Sequence, residues 1–184
     1  FKSQGKLGEP VRSVLDVGCS HGWAVRELWN HSITASGVDV SEIAVSRARC
    51  ARGTAGDQCI GPCFQQAPAT ALPFVTGAFD AILATDVLEH VMPVDVHKAA
   101  AEFSRVASRL LFLSISCAVE ANRRHVRVLQ RQGYTPPGAR LHASILEPAS
   151  WVGAFAKQGF ALRHIERGET FIMERRGRRG GHAG

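Results

Sequence analysis

In TDVLEHV, residues 85–91, two carboxylates and an imidazole stand close together at Asp86, Glu89 and His90. The intrinsic pKa of an imidazole lies near neutrality, which suits His90 as a general base, with Glu89 beside it as a second candidate catalytic group. The competing assignment is structural: Glu89 and His90 open a helix and only cap it or pair with neighbours. A second group sits in VLDVGCSHGWAVREL, residues 14–28, which passes from strand to helix through a turn holding Gly18 and Gly22. Gly18 lets the chain leave the strand tightly, and Gly22 is expected to let the first helical turn approach a ligand with no Cβ in the way. The dinucleotide fingerprint G-x-G-x-x-G is not met, because Cys-Ser-His-Gly-Trp follows Gly18, so pyrophosphate is not the expected ligand. Asp39 lies 21 residues past Gly18, where an acid accepts hydrogen bonds from ribose hydroxyls and repels a 2′-phosphate.

These groups need a scaffold that brings the ends of distant strands together. SVLDVG (13–18), TASGVDV (34–40), CFQQA (63–67), FDAILAT (79–85) and RLLFLSIS (109–116) are short, mostly apolar and strand-like. Residues 21–31, 41–52 and 94–107 carry apolar positions at helical spacing, with Ser41 a candidate N-cap. The alternation predicts an α/β fold, a mostly parallel sheet with helices on both faces. Two strand-like runs in FALRHIERGETFIMERR, residues 160–176, meet around Arg167-Gly168 and predict a hairpin. Such sheets bind ligands beyond the carboxyl ends of their strands, where the strand order reverses, and the glycine turn sits there. Trp151 and Phe155, four residues apart, are expected in the core, whereas Trp23 could roof a ligand.

The 184 residues, 45% hydrophobic, suffice for one domain with a substantial core. No apolar run approaches a membrane span, and FKSQGKLGEP lacks the apolar centre of a signal peptide, so a cytoplasmic protein is expected. Five cysteines (Cys19, Cys50, Cys59, Cys63, Cys117) are read as reduced thiols, with Cys59 and Cys63 as ordinary loop thiols rather than zinc ligands. The net charge of +6 is uneven: residues 1–100 carry −2 and residues 101–184 carry +8. Part of the excess lies in the tail, residues 176–184, whose glycines and like charges point to a flexible, solubilising end.

The motifs VLDVGCSHGWAVREL, GVDVSEIAVSRAR, ALPFVTGAFDAILATDVLEHV and RLLFLSIS, in this order and spacing, resemble the successive motifs of class I S-adenosylmethionine-dependent methyltransferases. The resemblance covers residues 12–116 and extends more weakly through the terminal hairpin. It implies one Rossmann-like domain over residues 1–175 with a seven-stranded sheet whose last strand is antiparallel, and S-adenosylmethionine as cofactor with S-adenosylhomocysteine as product. On this resemblance Asp16, Gly18, Cys19, Ser20 and Gly22 would line the methionine end and Asp39 would hold the ribose. Ile43 or its neighbours would pack on the adenine, and Val40, Ala67, Pro68, Ala69, Thr85 and Asp86 would complete the cofactor site. Two positions depart from the family pattern. Ser20 replaces the usual middle glycine, and Pro68 stands where an acid commonly binds the adenine amino group, leaving that bond to backbone, Gln66 or Thr70.

Acceptor specificity is expected from residues 117–148, an insertion after the fifth strand. Arg123, Arg127 and Arg131 recur every four residues, with Arg124 adjacent; they either meet an anionic substrate or form a solvated helix face. His142 could line the acceptor pocket opposite His90 or make a structural hydrogen bond. Asp86-x-x-Glu89-His90 with His142 is also similar to the metal set of small-RNA 2′-O-methyltransferases, but that family's His-rich signature is missing, and no metal is expected. The expected activity is methyl transfer to an oxygen or nitrogen of a small acceptor, an anionic one if the arginines of 117–148 meet it. An RNA methyltransferase is the main rival, supported by the arginines and tail but opposed by the shortage of stacking aromatics around Tyr134. A noncatalytic binding protein on the same scaffold is the alternative of a different class.

Overall fold

Val14 to Val17 are four consecutive buried residues, which suits a strand covered on both faces and not one with a wet side. This strand, β1 (Ser13–Val17), pairs in parallel with β2 (Thr34–Asp39) on one side and β4 (Phe79–Thr85) on the other. The computed structural model describes residues 9–50, 59–117, 131, 142–167 and 169–177. Within them the sheet continues through β3 (Phe64–Gln66), β5 (Ala107–Ser114), β6 (Phe160–Glu166) and β7 (Thr170–Arg175), in the order β3-β2-β1-β4-β5-β7-β6. Only β7 runs against the rest, pairing antiparallel with β5 and β6, as the expected reversed last strand requires.

Successive side chains of a strand point to opposite faces, and the core divides accordingly. Val14, Ala35, Ala81 and Leu110 pack with Val25, Leu28 and Trp29 of α1 (Trp23–Asn30) and Val45 and Ala48 of α2 (Glu42–Cys50). Leu15, Val38, Ile82 and Leu111 pack on the other side with Phe103 of α3 (Val96–Val106) and with Trp151 and Phe155 of α4 (Pro148–Ala156). Helices therefore cover both faces, and Trp151 and Phe155 are core, each 1% exposed. Ser41 caps α2 as expected, its Oγ accepting the Ala44 N–H at 3.3 Å.

The thiol assignment is corrected at one point. Cys59 and Cys63 form a disulfide, their Cα atoms 5.1 Å apart. The chain between them folds back through Gly61, whose φ of +68° a glycine adopts without strain. Composition weighed the two cysteines as loop thiols, but pairing depends on that turn geometry. Cys19, Cys50 and Cys117 are free. Among the described residues no helix is long and apolar enough to cross a membrane.

Candidate active site

The strand order reverses between β1 and β4, and the chain ends of both strands open into one cavity of about 580 Å³. On the β1 side, the Gly18 and Cys19 N–H groups both donate to the Val38 carbonyl, at 2.8 and 3.0 Å. This turns the chain sharply off the strand. Gly18 takes a φ of +79°, and a Cβ there would lie 2.2 Å from Val87 Cγ2, so the position tolerates no side chain. Ser20 follows in the left-handed region at φ 48° and donates its N–H to Asp39 Oδ2 at 2.9 Å. The other oxygen, Oδ1, accepts the Ser41 N–H at 2.9 Å. Asp39 is thus held at the cavity wall by both oxygens, each with lone pairs to spare.

The opposite wall comes from the chain after β4. Asp86 adopts φ 53°, a conformation unusual for a non-glycine residue and found where surrounding structure enforces it; its N–H donates to the Ser114 carbonyl at 3.0 Å. The turn then brings Val87, His90, Val91, Met92 and Asp95 onto the cavity. His90 lies edge-on to His142, ring centres 5.0 Å apart.

Ten of the expected site residues line this space: Gly18, Ser20, Asp39, Val40, Ala67, Pro68, Ala69, Thr85, Asp86 and His90. Thr70 joins them, whereas Gln66 Nε2 is engaged with the Val40 carbonyl at 3.0 Å, so of the two side chains considered for the adenine amino group only Thr70 faces the cavity. Val91, Met92 and Asp95 were not anticipated; their positions follow from a turn after His90 that no periodic pattern signals. Several expected residues lie elsewhere. Ile43 is 67% exposed and its neighbour Val40 takes the wall. Trp23 is 74% exposed and does not line the cavity. Glu89 is fully buried and His142 nearly so, both behind His90 and not on the wall. Arg123, Arg124 and Arg127 lie outside the described residues. No cluster able to hold a metal occurs among the described residues.

For Gly22 the structure supplies a packing reason that the sequence did not show. Its φ is +74° and an added Cβ would sit 2.5 Å from Phe64 Cε1, so the Phe64 ring already comes close to this backbone, and Gly22 is not among the residues that line the cavity. Gly22→Ala is expected to cost about 2–4 kcal/mol, combining left-handed strain with overpacking; urea unfolding measures it, and a loss within experimental error would refute the steric account.

Asp16 and Cys19 lie under the glycine turn, each 5% exposed. Burial, and next the charge of Asp39, push the Asp16 carboxyl up from 3.8 to about 7. Burial, then Asp16 and Asp39, push the Cys19 thiol up to about 12, so it stays protonated and is no nucleophile. A carboxyl whose folded pKa exceeds its unfolded one favours folding when protonated, and its ionisation erodes stability as pH rises from about 4 to 7. Asp16→Asn should therefore stabilise the ligand-free protein at pH 8 by an amount on the order of a few kcal/mol and by almost nothing at pH 4. Denaturant unfolding at the two pH values reads this directly, and an equal effect at both would show that Asp16 titrates normally.

A family model described as a methyltransferase domain matches residues 15–113, the span that builds both cavity walls. The 27-O-demethylrifamycin SV methyltransferase of Amycolatopsis mediterranei is 31% identical over 191 residues, covering 85% of this chain and 68% of that protein. Among solved structures, YcgJ from Bacillus subtilis superposes with a TM-score of 0.62 at 25% identity, over 84% of this chain and 64% of that one. The magnesium protoporphyrin IX methyltransferase of Synechocystis with bound S-adenosylhomocysteine gives a TM-score of 0.62 at 23% identity, over 89% and 73%. Strand order, cavity position and the matched motifs agree: the chain belongs to the class I S-adenosylmethionine-dependent methyltransferases, with S-adenosylmethionine as its cofactor.

Proposed function

We propose that this methyltransferase acts on a hydroxyl oxygen of a small, largely apolar molecule, with His90 taking up the hydroxyl proton. The carrying observation is the placement of Asp39 and His90 on opposite walls of one cavity. The residues present suit the cofactor. Asp39 offers its free lone pairs to the ribose hydroxyls, Val40 and the run Ala67 to Thr70 border the adenine, and Gly18 and Ser20 flank the methionine end. When bound, S-adenosylmethionine supplies a methyl group already activated by its sulfonium, so the protein's share is orientation, exclusion of water and proton handling. His90, on the wall formed after β4, accepts the proton as the acceptor oxygen gains its new bond and afterwards returns it to water.

Two features favour a hydroxyl on an apolar body over an anion. Val87, Val91 and Met92 line the same cavity as His90, and the charged side chains among the described lining residues are Asp39, Asp86 and Asp95, with no lysine or arginine. An anionic acceptor would depend on Arg123, Arg124 and Arg127. The Amycolatopsis relative, named for methylating an oxygen of a small molecule, supports the same reading.

The test is methyl transfer from methyl-labelled S-adenosylmethionine to 27-O-demethylrifamycin SV and to simple phenols and alcohols, beside carboxylic acids and total RNA. Label in a methyl ether supports the proposal. Label confined to carboxylates or RNA refutes it, and tight S-adenosylhomocysteine binding without transfer to any of them favours the noncatalytic role.

A further inference from the structure

We infer that Glu89 is a positioning residue that fastens two distant chain segments to the turn carrying His90, and so sets where His90 stands against the acceptor. The inference rests on the reading of His90 as proton acceptor. Glu89 occupies the middle of the 3-10 turn Leu88–His90 and has 0% of its surface exposed. It does not line the cavity, so any effect on chemistry must pass through its neighbours.

Its bonds reach in two directions. Oε1 accepts the Ser116 N–H at 3.0 Å, tying down the chain just after β5. The Glu89 backbone carbonyl accepts the Ser144 N–H at 2.8 Å, and Ser144 Oγ returns a bond to the Val91 carbonyl at 2.6 Å. Ser116 and Ser144 flank residues 118–141, so the chain before and after that stretch is joined at one residue. The second flank also brings His142 against His90 at 5.0 Å. The first is braced from behind, since the Ile115 N–H donates to the Glu169 carbonyl at 2.8 Å beside β7. His90 is therefore held on one side by its own turn and on the other by a segment that Glu89 and Val91 anchor.

A carboxylate is an expensive way to fill a buried volume. Oε2 has no hydrogen-bond partner among the described residues, and a leucine or methionine would fill similar space without a buried polar atom. What those side chains lack is an acceptor for the N–H of Ser116, a half-buried residue. The bond made by Oε1 thus explains the residue type, and its placement next to His90 links it to the reaction.

Glu89→Gln, Glu89→Ala and Ser144→Ala in the full chain test this, read by amide hydrogen exchange at Ser116 and Ser144, S-adenosylhomocysteine affinity, and kcat with the acceptor. Glu89→Ala removes the acceptor of the Ser116 N–H but keeps the backbone carbonyl that holds Ser144, so it should speed exchange at Ser116 about tenfold or more, and at Ser144 by less, while cofactor affinity stays within about threefold. Its kcat should fall roughly a hundredfold with the cofactor KM unchanged, the pattern of lost positioning. Glu89→Gln keeps an amide oxygen for Ser116 and should recover most of both properties. Should Glu89→Ala not fold, Ser144→Ala removes only the bond to Val91 and should lower kcat about fivefold at unchanged cofactor affinity. Unaltered exchange at Ser116 in Glu89→Ala, or cofactor affinity falling as steeply as kcat, would overturn the inference, the second because it marks a general core role. Full activity in His90→Ala would instead remove the proton-acceptor reading while leaving the exchange result to decide the fastening.

Discussion

Asp39→Ala is expected to weaken S-adenosylhomocysteine binding at least about a hundredfold, the loss of two hydrogen bonds to a charged acceptor. The ribose is the part of the proposed pose most dependent on one side chain. Alanine also frees the Ser20 and Ser41 N–H groups, which Asp39 holds at 2.9 Å each, and so loosens the glycine turn and the start of α2 together. Asp39→Asn separates the two effects, because its amide oxygen can keep one of these bonds while the charge is gone. An asparagine variant between wild type and alanine in affinity, with wild-type unfolding behaviour, assigns the loss to the ribose. Wild-type affinity in Asp39→Ala by calorimetry would remove Asp39 from the cofactor site. Both variants also remove a charge that raises the Asp16 pKa, so Asp16 should titrate lower in either.

His90→Ala is expected to lower kcat by about 10² to 10⁴, the usual contribution of a positioned acid or base, with S-adenosylhomocysteine affinity unchanged. His90 borders the cavity on the wall away from Asp39, which is why binding and turnover should separate. The size of the loss should depend on the acceptor. A phenol, with a pKa of about 10, is far more acidic than an aliphatic alcohol and needs less help, so the alcohol should show the larger deficit. Equal kcat in variant and wild type, at saturating cofactor and acceptor, would mean that His90 only shapes the wall.

The elements were legible from the sequence to within two or three residues because their patterns are local. FDAILAT reads as a buried strand from its own residues and is β4, Phe79–Thr85. The helix expected over 94–107 is α3, Val96–Val106. Asp39 could be singled out because two strand ends and a glycine turn locate the switch point of such a sheet without any side-chain contact being known. Gly18 was read correctly as a turn residue. For Gly22 the need for glycine was legible and the neighbour was not, since Phe64 belongs to β3 and reaches α1 only when the sheet is assembled.

The sequence by itself determined the order of the elements, the family and the end of the sheet at which the cavity opens, because periodicity, turn residues and motif spacing are properties of consecutive residues. Tertiary structure alone decided that Glu89 is buried behind His90, that Gln66 is committed to Val40 while Thr70 faces the cavity, and that Cys59 meets Cys63. The physical reason is the same in each case. Which polar atom is satisfied and which remains open to a ligand depends on partners brought together by packing of segments far apart in the chain, as Ser116 and Ser144 are at Glu89.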